Sequence, residues 1–339
     1  MALREGLGLA PRHPARRRRP RSAALASGAA AALLLLQGCA SGGAYDYTPA
    51  GMRREIARRL PRADAASIAV PFEIDEATAE RATQILRGVA PGTEPLDALV
   101  ASLSDPAGFG LHYEWATTGT ASETLAHGGG NCLSLSSTLV GIARAVGFQA
   151  RYLEVIVAEP RWRTDGDLAV QADHVAAIVD SGSRRLAVDF SGQLGRARSM
   201  RIIDDFEALA HYYNNRGYEL LHRAESAGGA IPWQEAARNF ELATRIDPRH
   251  VRAWNNLGVA RARLGDDAGA RRAYETALGI EAGNQSAHLN LVVLYLRAGD
   301  LAKAAEHLEA ARQLDPRNPQ IPRLTKSLAQ GAGAGGPGS

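Results

Sequence analysis

Residues 251–284 and 285–318 of this 339-residue chain align with each other at a spacing of 34. Leu257 falls opposite Leu291, Gly265-Asp266 opposite Gly299-Asp300, Ala270 opposite Ala304, and Ala277 opposite Ala311. An internal period of this length constrains the fold more than any single motif. One copy cannot bury its apolar face alone and must stack on the next. Each copy reads as two helices joined at the Gly-Asp turn, with small alanines that let the paired helices approach. Pro248 and Pro316 stop the second helix of their units. An earlier copy, from Tyr212 to His250, fits once extra residues are allowed around Ala227–Pro232. Residues 323–330 then cap the stack, and the glycine-rich tail 331–339 is disordered by composition.

The helix–turn–helix period and its small residues resemble the tetratricopeptide repeat. That resemblance implies an all-α solenoid over residues 206–330, with a concave groove that takes a protein partner or peptide. Asn215, Asn256 and Asn290 recur at equivalent places on the first helix of each unit. In peptide-binding members such an asparagine holds the backbone of an extended ligand.

Upstream the periodicity changes. Residues 76–90 and 95–103 read as helices, as does a stretch near 52–60. Segment 108–116 reads as a strand leaving a turn. Residues 150–157, rich in β-formers, read as a central strand. Residues 174–180 and 184–190 form a hairpin around Ser-Gly-Ser, after an open loop bearing Pro160 and Trp162. Residues 66–205 are therefore expected to form an α+β domain. Within it, Thr120 and Glu123 make a capping box for a short helix that the glycines 128–130 end. Leu135, Leu139, Ile142 and Val146 then trace the apolar face of a buried helix. Cys132 stands between the glycine run and that helix. A helix N-terminus stabilises a thiolate through its unpaired N–H groups and dipole, and the N–H of Cys132 is placed to hold an oxyanion. A catalytic thiol needs a base and the base an orienting group. His174 opens one hairpin strand and Asp189 lies on the other. His127 is the rival base, and Asp173 and Asp180 are the rival acids. Tyr113 and Trp115 are candidates to line the cleft.

The run from Thr120 to Val155, with its Gly-rich turn, Asn131-Cys132 and the Ala143-Arg144-Ala145…Ala150-Arg151 turn, is similar to the core of the bacterial transglutaminase-like superfamily. That resemblance implies a papain-like fold and a catalytic Cys132, His174 and Asp189. Ala176 and Phe190 stand where the family often has an aromatic residue and a proline. The resemblance implies acyl transfer through Cys132 on a protein or peptide substrate and allows both hydrolysis and amine transfer; hydrolysis is expected, because a thioester in a watery compartment must be shielded to do otherwise. The alternative is a non-enzymatic scaffold whose α+β domain only binds.

The first 38 residues read as an export signal. Residues 4–21 hold seven arginines against one acid, and the apolar run 23–36 is too short to span a bilayer. Leu36-Gln37-Gly38-Cys39 resembles the bacterial lipobox. That resemblance implies acylation of Cys39, membrane attachment through lipid, and a place in the cell envelope. With Ala40 after the cysteine, it implies the outer membrane, facing the periplasm. Residues 39–65 are expected to be the lipidated cysteine and tether. Beyond residue 38 the chain holds 32 basic and 35 acidic residues. No basic face is evident that would suit nucleic acid. The glycine run lacks the Gly-Lys-Ser/Thr of a phosphate loop, and no HExxH, paired CxxC or calcium loop occurs, so neither cofactor nor metal is expected.

Overall fold

The computed structural model describes residues 47–157, 163–165, 168–170 and 173–334; Cys39 and the segment before it lie outside these. Four helices open the fold: α1 (Pro49–Arg59), α2 (Arg62–Ala65), α3 (Glu76–Arg87) and α4 (Pro95–Ser104). The expected tether to residue 65 is therefore helical from Pro49. Thr48 caps α1, and Met52 and Ile56 sit fully inside the core. Alternation of basic and apolar residues here makes an amphipathic helix, and its apolar side has a core to enter. Asp75 caps α3 by accepting from the Thr78 N–H.

Strand β1 is only His112–Tyr113, paired in parallel with β2 (Gly129–Gly130). Between them runs α5 (Ala121–His127), with its capping box formed as the sequence implies and Gly128 ending it in the left-handed conformation. α6 (Cys132–Ala145) is buried from Cys132 to Ala143. It lies against the sheet formed by β3 (Gln149–Val157), β6 (Val175–Asp180), β7 (Arg185–Val188) and β8 (Ala197–Ile203), in the order β7-β6-β3-β8. All pairings in this sheet are antiparallel. A 3-10 turn, Leu194–Arg196, leads into β8. The strand β8 escaped the sequence pattern because it is an edge strand with mostly exposed side chains. The segment expected to be an open loop contains a small hairpin, β4 (Arg163–Asp165) and β5 (Leu168–Val170).

Seven helices follow: α7 (Asp205–Ser226), α8 (Trp233–Ile246), α9 (Val251–Arg263), α10 (Asp267–Ile280), α11 (Gln285–Ala298), α12 (Leu301–Leu314) and α13 (Gln320–Ala334). The last runs on into the segment expected to be a disordered tail. The extra residues of the first repeat form the turn between α7 and α8. α7 straddles the expected boundary at residues 205/206. Phe206, Leu209, Tyr212 and Tyr213 belong to the core of the α+β domain, whereas Leu221 belongs to the core of the repeats. Its start is pinned by Arg144 at the end of α6, whose guanidinium donates to both Asp205 oxygens at 2.9 Å. Such a bidentate pair fixes direction as well as distance.

The repeats stack through small residues. A Cβ placed on Gly258 of α9 would lie 2.4 Å from the Tyr274 ring of α10, itself fully buried. Gly258→Ala is therefore expected to cost about 1–3 kcal/mol by overpacking. Urea denaturation followed by far-UV circular dichroism would show a lower midpoint.

Candidate active site

Cys132 is the first residue of α6, held there by Asn131. The Asn131 side chain accepts from the Ser134 N–H at 3.0 Å and donates to Thr118 Oγ1 at 2.8 Å. Being at the first helical position, the Cys132 N–H has no carbonyl one turn back to bind. The thiol is buried, and its Sγ lies 4.0 Å from the carbonyl oxygen of Asp173.

His174 stands just before β6, and its carbonyl accepts from the Val155 N–H at 3.0 Å. The hairpin register, Ala177 opposite Val188, carries Asp189 across from Ala176 and diagonal to His174. Diagonal neighbours share a face and are within side-chain reach. Ala176 is fully buried, and its small side chain lets the Asp189 carboxylate cross to the ring. Nε2 of His174 is 3.2 Å from Asp189 Oδ1 and 3.3 Å from Ser191 Oγ, so Nδ1 is the nitrogen left for the thiol. Asp189 is itself held: Oδ1 accepts from the Ser191 N–H and hydroxyl at 3.0 and 2.8 Å, and Oδ2 from the Leu194 N–H at 2.7 Å.

The electrostatics agree with this geometry. Burial works to lower the His174 pKa, but the Cys132 thiolate and the Asp189 carboxylate outweigh it and push the value up to about 10. For Asp189, burial works upward, yet the hydrogen bond and charge of His174 hold it well below the ordinary carboxylate range. The imidazole and the carboxylate thus favour their charged forms together, each stabilising the other.

The rivals lie elsewhere. His127 is exposed in the last turn of α5 and pairs with Glu114 at 2.9 Å. Asp180 pairs with Arg185 at the outer turn of the hairpin, at 2.7 Å. Asp173 is the residue whose role the sequence concealed. Its carboxylate has no exposed side-chain surface and is reached from two repeat helices. Arg252 donates to Oδ1 at 2.8 Å and Asn214 to Oδ2 at 2.7 Å. His211 Nδ1 and His250 Nε2 stand 3.0 and 3.1 Å from that second oxygen. His250 Nδ1 accepts from the Ala253 N–H, which leaves the proton on Nε2. Burial would raise the Asp173 pKa, but His211 and His250 hold it far down. These three residues bring ligand-type atoms within 4.8 Å of one another. With Arg252 and Asn214 already on the carboxylate, the donor set suits an ion-paired cluster better than a cation.

The cysteine and histidine open into a cleft of about 970 Å³ between the α+β domain and the repeats. Tyr113 and Trp115 line it, with Asp247, Arg249 and Glu281 on the repeat side. Trp115 is half exposed and packs on His222 of α7, ring centroids 4.0 Å apart.

Comparison with known proteins bears on both halves. Residues 79–189 match the Transglutaminase-like superfamily. Residues 223–286 and 265–328 each match the Tetratricopeptide repeat. The chain thus carries a transglutaminase-like domain followed by C-terminal tetratricopeptide repeats. Among curated relatives, a heat-shock protein cognate co-chaperone of Aspergillus fumigatus is 36% identical over 101 residues, 30% of this chain and 29% of that protein. A TPR repeat-containing protein of Pseudomonas aeruginosa is 32% identical over 135 residues, 36% of this chain and 52% of that protein. The chain spans about half or less of the length of the curated relatives it matches. The solved first TPR domain of the human RPAP3 protein is 17% identical, covering 38% of this chain and 95% of that one, with a TM-score of 0.34.

A pH dependence follows from His174. Its pKa in the folded chain lies above the ordinary 6.5, so the stability it contributes is complete below about 6.5 and is lost as pH rises through about 10. Thermal melts are expected to fall over that interval, and this part of the fall should vanish in His174→Ala.

Proposed function

We propose that this protein is a thiol enzyme acting on amide bonds of a peptide or protein substrate through an acyl-enzyme on Cys132. The observation that carries the reading is the alignment of three groups: a buried thiol at a helix N-terminus, a largely buried imidazole held protonated beside it, and a buried carboxylate fixed behind the imidazole. In the first step Cys132 Sγ attacks the amide carbonyl, with the Cys132 N–H placed to stabilise the oxyanion. The C–N bond then breaks as His174 gives its proton to the leaving amine. Water attacks the thioester, His174 takes the water's proton, and the acid and free thiolate are released. Asp189 keeps the ring oriented throughout. The cleft is open enough for water to reach the thioester, which favours hydrolysis over transfer to an amine. Repeat residues line the same cleft, so the repeats serve to recruit the polypeptide substrate or a protein partner.

In this reading the protein is anchored by lipid on Cys39 to the bacterial cell envelope, at the outer membrane and facing the periplasm. Among the described residues no helix is long and apolar enough to cross a membrane. Support for the anchor comes from the basic head, apolar core and Leu-Gln-Gly-Cys order of the N-terminal sequence.

The test is the alkylation rate of Cys132 against pH, read by mass spectrometry on its peptide in the detergent-solubilised full chain. Reactivity is expected to persist well below the free-thiol value of about 8.5 and to collapse in His174→Ala. A free-thiol profile indifferent to His174 would leave a scaffold whose α+β domain only binds. Separately, Cys39→Ser is expected to release the protein from the membrane fraction and abolish incorporation of labelled fatty acid.

A further inference from the structure

The repeats make contacts that substrate recruitment does not require. Asn290 of α11 accepts from the Ala169 N–H at 2.7 Å and donates to the Ala169 carbonyl at 3.1 Å. Asn255 of α9 donates to the same carbonyl at 3.0 Å. Ala169 and Val170 of β5 are fully buried, and Val170 belongs to the core of the repeats. Asn215 of α7 treats Asp173 the same way: its Oδ1 accepts from the Asp173 N–H at 2.9 Å and its Nδ2 donates to the Asp173 carbonyl at 3.3 Å. Twice, then, an asparagine on the first helix of a repeat grips both polar groups of one backbone unit. That is how such a groove holds an extended peptide, and here the peptide is part of the same chain. The Asp173 side chain is gripped as well, by His211, Asn214 and Arg252.

The gripped backbone leads straight into His174. α7 also reaches the other flank of the site. Glu219 accepts from the Thr118 N–H at 2.9 Å and Arg216 donates to the Thr118 carbonyl at 2.9 Å, while Thr118 Oγ1 accepts from Asn131, the cap of the Cys132 helix.

We infer that the repeats are part of the catalytic machinery: their groove binds the chain's own β5 and Asp173 as an extended ligand and thereby positions His174 against Cys132. Asn215, Asn255 and Asn290 are positioning residues, and none of them touches the reacting atoms. The inference rests on Cys132 and His174 acting as an activated pair. It makes the transglutaminase-like domain dependent on the repeats for its reactive geometry.

The experiment compares Asn215→Ala, Asn290→Ala and Asn215→Asp with the unaltered full chain in detergent. Asn215→Asp keeps the acceptor for the Asp173 N–H. Three readouts are taken: circular dichroism and melting for the fold, hydrogen exchange at the Ala169 amide, and the pH profile of Cys132 alkylation. Asn290→Ala is expected to keep its helical content and to exchange the Ala169 amide quickly. Near neutral pH, its Cys132 alkylation should slow by roughly tenfold or more, the scale that a small misplacement of a reactive group produces. Asn215→Ala is expected to shift the profile towards the free-thiol value, with partial recovery in Asn215→Asp. If Asn215→Ala fails to fold, Asn290→Ala alone decides. An activated profile in the unaltered chain that persists unchanged in the folded variants overturns this inference and leaves the enzyme reading standing. A free-thiol profile in the unaltered chain overturns both.

Discussion

The arrangement depends on one buried carboxylate, that of Asp173. An ionised group with no exposed side-chain surface is costly to bury unless it is fully paired. The partners that compensate it come from α7, from α9 and from the residue that caps α9: Asn214, His211, Arg252 and His250. Further charges balance these partners in turn. Arg252 also reaches Glu154 on β3 at 3.3 Å, and Arg201 on β8 meets the same glutamate at 2.9 Å. The network therefore joins the sheet to the repeat helices through Glu154 and Arg252. Hydrogen bonds among buried charged groups are directional and strong. Such a network specifies one docking of the two halves where apolar packing alone would tolerate several.

That docking sets the geometry of the candidate site. The thiol owes its place to α6, a helix buried from its first residue to Ala143 and stopped from shifting by the Arg144–Asp205 pair at its far end. The imidazole owes its place to the strand start at β6 and to the gripped residue before it. Asp189 is held by the Ser191 and Leu194 amides, independently of the repeats. One member of the trio is thus fixed by the core helix, one by the turn that follows β7, and the middle one by both domains together. A small rotation of α7 would be felt first at His174.

Much of the candidate site was legible in the linear sequence, because its signals are local. The 34-residue period, the Thr120–Glu123 capping box, the glycine stop and the apolar stripe after Cys132 all act within one or two helical turns. Hairpin alternation put His174 and Asp189 on paired strands, and only the register was needed to make them diagonal neighbours. Other parts were hidden for physical reasons. The strand β8 has an exposed edge face without hydrophobic alternation. The pairing of β4 with β5 runs over only three residues a side, and Ala169 and Val170 are buried by the repeats rather than by their own sheet. Asp173 read as a spare acid beside a histidine, since nothing near it in sequence reveals that two imidazoles and a guanidinium converge on it from residues 211, 250 and 252.

The sequence by itself determined which chemistries the chain carries and where each module begins to repeat: a thiol at a helix start, a histidine and an aspartate on a hairpin, and a stack of helix pairs. These follow from short-range propensity, capping and periodicity, which need no knowledge of distant contacts. Only the tertiary structure decided that the two modules share a helix, that α1 belongs to the core, and that groove asparagines hold the chain's own backbone. Each of those outcomes turns on partners met across long sequence separations: an apolar core for α1, and compensating groups for the buried polar atoms elsewhere. Propensity does not encode that requirement; it is met only when the folded surfaces come together.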